Sequence, residues 1–367
     1  AVSGEPEAIA VIGLSGRYPM AENLAEFWEN LAHGRDCITE IPPERWDWRE
    51  HFDPDPDRPG KSYSKWGGFL EHPADFDPLF FNITPRDAER MDPQERLFLE
   101  TVWETLEDAG YTRTSLAMEQ VGVFAGVMYG HYQLYGVEEA LRGRPVALSS
   151  SFASIANRVS YFFNFTGPSI ALDTMCSSSL TAIHLACESL RRGESTLAIA
   201  GGVNLALHPQ KYLLISQGRF ASSDGRCRSF GSGGDGYVPG EGVGAVLLKP
   251  LSKAIAARDH IHGVIKGSAV NMAGKPTVIP FLIRRPRRKS SARLSANLAS
   301  IPGPLHISKP TAPEPPWETP LRLPDWPKPL ACILPTGNFA PLDPSRPTSA
   351  IWSPPPESPG SPKYYCK

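Results

Sequence analysis

One cysteine stands where two local patterns meet. In the run Ser169 to Leu190, SIALDTMCSSSLTAIHLACESL, the β-rich residues Ile170 to Asp173 stop at Thr174-Met175-Cys176. Three serines follow, and apolar residues then recur at helical spacing at Leu180, Ile183, Leu185, Ala186 and Leu190. A thiol at such a handover can feel the unpaired N–H groups and the positive end of the helix dipole. Those favour thiolate, the nucleophilic form, so Cys176 is a candidate nucleophile. The same stretch also fits a buried structural cysteine, since cysteine is among the most buried residue types. His184 lies too far along the same helix, at about 1.5 Å of rise per residue, to reach that sulfur, and reads as a packed helix histidine. Cys187 and Cys227 have no acid-base partner nearby in sequence and read as structural.

The elements that must hold this junction alternate. Ala8 to Gly13 reads as a buried strand ending in a glycine turn, with Leu14 to Pro19 as its loop. Leu24, Phe27, Trp28 and Leu31 share a helical face that stops at Gly34. Ile41 to Phe81 is a long irregular stretch of Pro, Asp and aromatics, of the kind that is functional or packed by its own side chains. Pro93 to Ala109 reads as an amphipathic helix capped by Gly110, and Phe152 to Phe163 as another helix. Val121 to Val127, Leu197 to Asn204 and Val243 to Leu248 read as buried strands. Buried strands alternating with helices predict an α/β layered fold with largely covered sheets. The glycine-rich Phe230 to Gly244 has neither nucleotide-binding spacing and reads as tight turns entering the last of these strands. Asp224, Arg226 and Arg228 just before it read as a turn fixed by internal ion pairs or as a solvated charged loop.

Composition excludes several classes. The net charge is −2, and basic residues cluster only at Arg284 to Lys289, so nucleic acid is not an expected partner. The six cysteines, Cys37, Cys176, Cys187, Cys227, Cys332 and Cys366, are scattered with no C-x-x-C pair for zinc or redox work, which fits a reducing cytoplasm. No apolar run approaches the roughly 20 residues of a membrane-spanning helix. The chain opens with Ala1 and the first strand begins at Ile9, as expected of a piece of a longer polypeptide. Proline divides it: 22 of the 38 prolines, but only 3 of the 32 glycines, lie between Pro276 and Pro362. Residues 1–271 and 272–367 are therefore expected to be unlike parts, the second without a fold of its own.

The first part resembles the β-ketoacyl synthase (ketosynthase) domains of polyketide and fatty-acid synthases. The resemblance rests on Ile9 to Pro19 (IAVIGLSGRYP), Phe76 to Arg96 (FDPLFFNITPRDAERMDPQER), Asp173 to Leu180 (DTMCSSSL), Ala200 to Asn204 (AGGVN) and Ser222 to Gly244, five stretches in family order. Met175, the GVMYG around Tyr129 and the GYVPGEG stretch look most like modular bacterial polyketide synthases served by a separate acyltransferase. The resemblance implies a thiolase-like α-β-α-β-α fold of two similar halves, with the first half complete here and the second missing or disordered. It implies a homodimer in the intact form and neighbouring synthase domains. Cys176, matched to the family nucleophile, would take an acyl chain from the phosphopantetheine thiol of an acyl carrier protein. A malonyl-type extender would lose CO2 and attack that thioester, with backbone N–H groups, that of Cys176 included, holding the oxyanion. No cofactor or metal is implied as directly bound.

The family's decarboxylation step uses two histidines, in motifs like EAHGTGT and KSNIGH, and a lysine near the second. Neither motif appears, and after Asn271 the only histidine is His306, in unmatched sequence. Shifted by one base, codons for Lys309 to Pro320 can read EAHGTGTSLGDP, and those for Thr348 to Gly360, in the same phase, NIGHLESAAGIAG. A base lost after the Asn271 codon would likewise turn a family-like sequence into Asn271 to Ile279. The second part is thus expected to be the family's second half out of frame, the alternative being a genuine proline-rich tail. As written, the chain would keep the nucleophile without condensing, and its exposed apolar faces would favour aggregation. Two rivals are a non-catalytic ketosynthase-like dimer partner, which retention of Cys176 disfavours, and a thiolase-type acyltransferase using coenzyme A, which the MDPQER and GYVPGEG stretches disfavour.

Overall fold

A computed structural model describes residues 6–271. The Arg284 to Lys289 cluster, His306, Cys332, Cys366 and the frame-shifted reading lie outside the described residues.

Strand β1 (Ile9–Arg17) is followed by helix α1 (Leu24–Ala32) and a two-stranded ribbon, β2 (Thr39–Glu40) with β3 (Trp66–Gly67). Next come α2 (Pro85–Arg90), α3 (Pro93–Asp108), β4 (Val121–Gly126), α4 (Tyr132–Leu141), α5 (Phe152–Phe163), β5 (Ser169–Leu172) and α6 (Ser178–Arg192). The described chain ends with β6 (Leu197–Asn204), α7 (Gln210–Gln217), β7 (Gly242–Pro250), α8 (Leu251–Ala257) and β8 (Gly263–Ile265). The main sheet has the order β5-β4-β6-β7-β1-β8. It is parallel through β5, β4 and β6 and antiparallel from β6 through β7 and β1 to β8.

The period-two alternation of the strands fills two separate cores. Val123, Ala125, Ile199, Ala245 and Leu247 turn one way and meet Phe98, Val102 and Leu106 of α3 and Ile155 and Val159 of α5. Phe124, Ala198, Ala200, Val246 and Leu248 turn the other way and meet Ala182, Ile183, Ala186 and Leu190 of α6. Both faces are covered, as the unbroken apolar runs of β4 and β6 require. Each fully buried Leu or Phe contributes about 1.5–3 kcal/mol to this sandwich. The described residues hold this single large sheet between helices, one half of the five-layer fold expected.

The ends of α5 and β6 match the sequence reading, and α3 runs from Pro93 with Asp92 as its N-cap. Strand β1 differs: it runs past Gly13 to Arg17, with a bulge between Val11 and Gly13. Gly13 is there for contact rather than a turn, since a Cβ would lie 2.5 Å from the Thr105 carbonyl of α3. The irregular stretch packs on itself and on α7, with Ile41, Tyr63 and Phe69 against Tyr212 and Ile215. It is tied down by Arg45, whose guanidinium donates to Glu241 Oε2 at 2.8 Å and to the Leu70 carbonyl at 3.0 Å.

Candidate active site

The turn between β5 and α6 is built by its own polar side chains. Asp173 Oδ1 accepts from the Met175 backbone N–H at 2.7 Å. Ser178 Oγ donates to the Met175 carbonyl at 2.6 Å and accepts from the Thr174 N–H at 2.9 Å, while Ser177 Oγ donates to the Thr174 carbonyl at 2.8 Å. Two of the three serines thus serve to close a tight corner. The closure puts Met175 in the left-handed region at φ 58°, a conformation that an unbranched side chain tolerates better than a β-branched one. Such local strain is held only where surrounding bonds over-determine it, and functional sites collect it.

Cys176 sits on this corner, exposed, immediately before the α6 N-cap Ser177. It lies at the helix mouth, as the sequence pattern predicts, and not in a hydrophobic wall. The close approach of β4 to α6 depends on Gly126, where a Cβ would lie 2.7 Å from the Ser178 carbonyl carbon and the Ser179 nitrogen. Thus α6 is seated on the end of β4, and the chain leaving β4 carries Tyr129 to the cysteine.

The surroundings of Cys176 come from three other segments. Tyr129, after β4, has its carbonyl fixed by the Gln94 side-chain amide at 2.7 Å. Burial first, then the charge of Cys176 and Asp173, pushes the Tyr129 hydroxyl pKa up. Tyr237, from the glycine-rich turns, is raised by burial and by facing Tyr129 and Cys176. Lys211 of α7 is 3% exposed, with its ammonium 4.8 Å from the Tyr129 ring centroid and 3.0 Å from Asn204 Oδ1. Burial lowers its pKa to about 8, against the opposing pull of Glu241 and Cys176. His131, its ring tilted against that of Tyr129 with centroids 5.1 Å apart, is driven down to about 4 by burial and by the positive charge of Lys211 and then His208. Its Nδ1 is buried with no hydrogen-bond partner among the described residues.

Glu241 holds this wall in place. Its carboxylate accepts from Arg45, from the Leu70 N–H at 2.9 Å and from the Ala206 N–H at 2.9 Å. The glycine-rich segment is a set of turns running into β7, as its sequence predicts. The charged turn before it is only partly self-contained. Arg228 pairs with Asp224 at 2.7 Å, and Asp224 also accepts from Ser222 Oγ, but Arg226 pairs with Asp36 instead. Asp36 belongs to the loop after α1, a partner that no local spacing reveals.

The remaining sequence candidates fall away from the corner. His184 is a packed helix residue, its Nδ1 at 2.8 Å from Ser268 Oγ and its pKa lowered by burial. Cys187 is fully buried under α6, its thiol pushed up to about 12 by burial. Cys227 is half-buried, 3.5 Å from Ser229 Oγ. Sequence reasoning missed Lys211, Tyr129, Tyr237 and Glu241 as neighbours of the thiol. A lysine inside the apolar KYLLI of α7 was the one local signal available.

A half-parallel sheet between helices, with an exposed cysteine on a strained corner at a helix mouth, defines an α/β domain of layered type. Residues 6–254 match the model of the β-ketoacyl synthase N-terminal domain, and the chain belongs to that family. Among curated proteins it is 64% identical over 278 residues to the polyketide synthase PksL of Bacillus subtilis, covering 74% of this chain and 6% of the relative. It is 65% identical over 269 residues to ThaG of Burkholderia thailandensis, covering 73% of this chain and 5% of the relative. Among solved structures, the oxazolomycin ketosynthase domain OzmH KS7 of Streptomyces albus aligns with a TM-score of 0.78 at 56% identity, covering 80% of this chain and 51% of that one. The module 6 ketosynthase of the Bacillus subtilis bacillaene synthase aligns at 0.70 and 41%, covering 80% and 48%. The fold is thus that of the thiolase-like ketosynthases. The chain spans about half of those solved domains and a small fraction of the curated synthases. Among the described residues no helix is long and apolar enough to cross a membrane.

Proposed function

We propose that Cys176 is the acyl-carrying nucleophile of a polyketide ketosynthase, a β-ketoacyl-[acyl carrier protein] synthase-type acyltransferase. The observation that carries the reading is an exposed thiol on a side-chain-locked corner ahead of α6. Its thiolate attacks the carbonyl of an acyl thioester on the phosphopantetheine arm of an acyl carrier protein, and the phosphopantetheine thiol leaves. The Cys176 backbone N–H is one donor to the oxyanion formed. In the intact enzyme a carrier-bound malonyl-type unit then loses CO2. Its carbanion attacks the Cys176 thioester, expelling the thiolate and leaving a β-ketoacyl chain on the carrier.

This chain performs only the first half of that sequence. The decarboxylation histidines belong to motifs absent from it, and residues 272–367 are the family's second half read out of frame, so residues 1–271 form the ketosynthase N-terminal region. The carrier proteins, a second copy as homodimer partner and neighbouring synthase domains are its partners in the intact form, in a reducing cytoplasm. The edge strand β5, with Ile170 exposed, is available for such a second copy.

Incubating the purified chain with an acyl-phosphopantetheine thioester tests the reading. Acylation of Cys176, lost in Cys176→Ala, supports it, with no β-ketoacyl product when malonyl carrier protein is added. Failure to acylate a natively folded chain contradicts it. Preference for coenzyme A donors over carrier-bound ones moves the assignment to a thiolase-type enzyme. Sequencing across the Asn271 codon tests the frame: an intact frame with unrelated downstream codons removes that part.

A further inference from the structure

Three hydroxyls close a ring across the corner that carries Cys176. Thr181, one turn into α6, donates from Oγ1 to the Ser177 carbonyl at 2.9 Å. A hydroxyl has one proton to give, so in the 3.1 Å bond between Thr181 Oγ1 and Thr174 Oγ1 it is Thr174 that donates. Ser177 Oγ completes the ring by donating to the Thr174 carbonyl at 2.8 Å and to Thr174 Oγ1 at 3.1 Å. Only Met175 and Cys176 lie between the two pinned residues.

A threonine bonded to the carbonyl four residues back is common in helices and carries no message by itself. Here the same hydroxyl also accepts from a residue seven positions back, outside the helix. It therefore couples the entry of the corner to the second turn of α6. The other corner bonds do not: Asp173 holds the Met175 N–H, and Ser178 holds the Met175 carbonyl and the Thr174 N–H. Such over-determination is what a left-handed Met175 needs, and it fixes the direction of the peptide that follows, whose N–H belongs to Cys176. Direction matters for one kind of reaction only. An oxyanion donor works when it sits about 2.7–3.1 Å from where the charge develops, whereas displacement of iodide by a thiolate develops no oxyanion.

We propose that Thr181 is a positioning residue: through Thr174 and Ser177 it aims the backbone N–H of Cys176 at the oxyanion formed when an acyl thioester is attacked. The inference rests on the reading of Cys176 as the nucleophile. The ring lies near the surface, with Thr174 and Ser177 exposed and Thr181 half-buried, so the fold does not depend on it. The Ser177 carbonyl also keeps its helical bond from the Thr181 N–H at 2.9 Å when the hydroxyl is removed.

Two rates measured on the full chain test it, both read at the Cys176 peptide by mass spectrometry: acyl transfer from an acyl-phosphopantetheine thioester and alkylation by iodoacetamide. In the isosteric Thr181→Val, acyl transfer is expected to fall about tenfold, short of the roughly 10²–10³-fold lost when an oxyanion donor is removed outright. Alkylation is expected to stay within about twofold, because the thiol itself is unchanged. Thr181→Ser keeps the hydroxyl and is expected to restore acyl transfer. Buried Cys187 stays unlabelled in any variant that folds. Unchanged acyl transfer in folded Thr181→Val, or an equal fall in both rates, overturns the inference. The corner has a readout of its own that needs no acyl donor. The Ser177 and Ser178 amides, bonded to the Thr174 and Met175 carbonyls, are expected to exchange their hydrogens several-fold faster in Thr181→Val. Unchanged exchange overturns the inference even where the native chain takes no acyl group. Faster exchange in a chain that takes none keeps the hold on the corner and removes the nucleophile reading instead.

Discussion

Cys176 and Cys187 belong to the same helical segment and do opposite things. Cys176 stands just outside the mouth of α6, exposed, on a corner closed by Ser177 and Ser178. Cys187 lies inside α6, sealed between Phe124, Ala198 and Val246, and burial pushes its thiol up to about 12. The residue type is the same, so the difference comes from position. The corner before a helix leaves one sulfur open to reagents, whereas the covered face of a sheet closes the other off and opposes its ionisation.

The contrast is broken most forcefully by putting the same charge at both sites. Cys187→Asp places an unpaired carboxylate in a closed core and is expected to cost more than about 4 kcal/mol, enough to abolish folding. Cys176→Asp, on the surface, is expected to stay within about 0.5 kcal/mol of the native chain. Urea unfolding followed by circular dichroism separates the two. A smaller step moves the mouth and leaves the core: Gly126→Val drives its new side chain into the backbone of Ser178 and Ser179. A loss of about 1–3 kcal/mol is expected, with Cys176 alkylation slowed several-fold while Cys187 remains protected.

Titration sharpens the contrast further. The folded-state pKa of Cys187 is raised from an ordinary 9.0 to about 12. Its burial therefore adds stability that is fully present below pH 9 and is lost as the pH rises toward 12, because the unfolded chain releases the proton first. Between those values the unfolding free energy is expected to fall by about 1.4 kcal/mol per pH unit from this group. Cys187→Ala removes that slope, which denaturation at pH 9 and 10.5 reads directly. The smallest effect belongs to the corner itself. Ser178→Ala deletes the bonds to the Met175 carbonyl and the Thr174 N–H, for a loss of about 1 kcal/mol and a modest drop in Cys176 labelling.

How far the sequence reaches depends on the range of the interaction. Helices α3 and α5 and strand β6 are legible because each is long enough to show its own period and has clear stop residues. The short helices α2, α4, α7 and α8 are not, since their six to ten residues lack the clear apolar stripe that makes the nine-residue α1 readable. Gly13 misleads because a glycine chosen for contact with α3 looks the same as one chosen for a turn. The nucleophile is legible in the junction of two patterns around it. Its neighbours are not: Tyr129, Lys211 and Tyr237 reach it from three separate segments through the sheet order, and Arg226 finds Asp36 across the fold in the same way.

The central claim is that the corner before α6 carries an acyl-accepting thiolate. Acyl transfer from a carrier-protein thioester to the full chain, followed by peptide mass spectrometry, tests it most directly. The account predicts an adduct on Cys176, none on Cys187, and none at all in Cys176→Ala. An adduct on Cys187 in folded protein, or a native chain that takes no acyl group while Cys176 still alkylates, would contradict it.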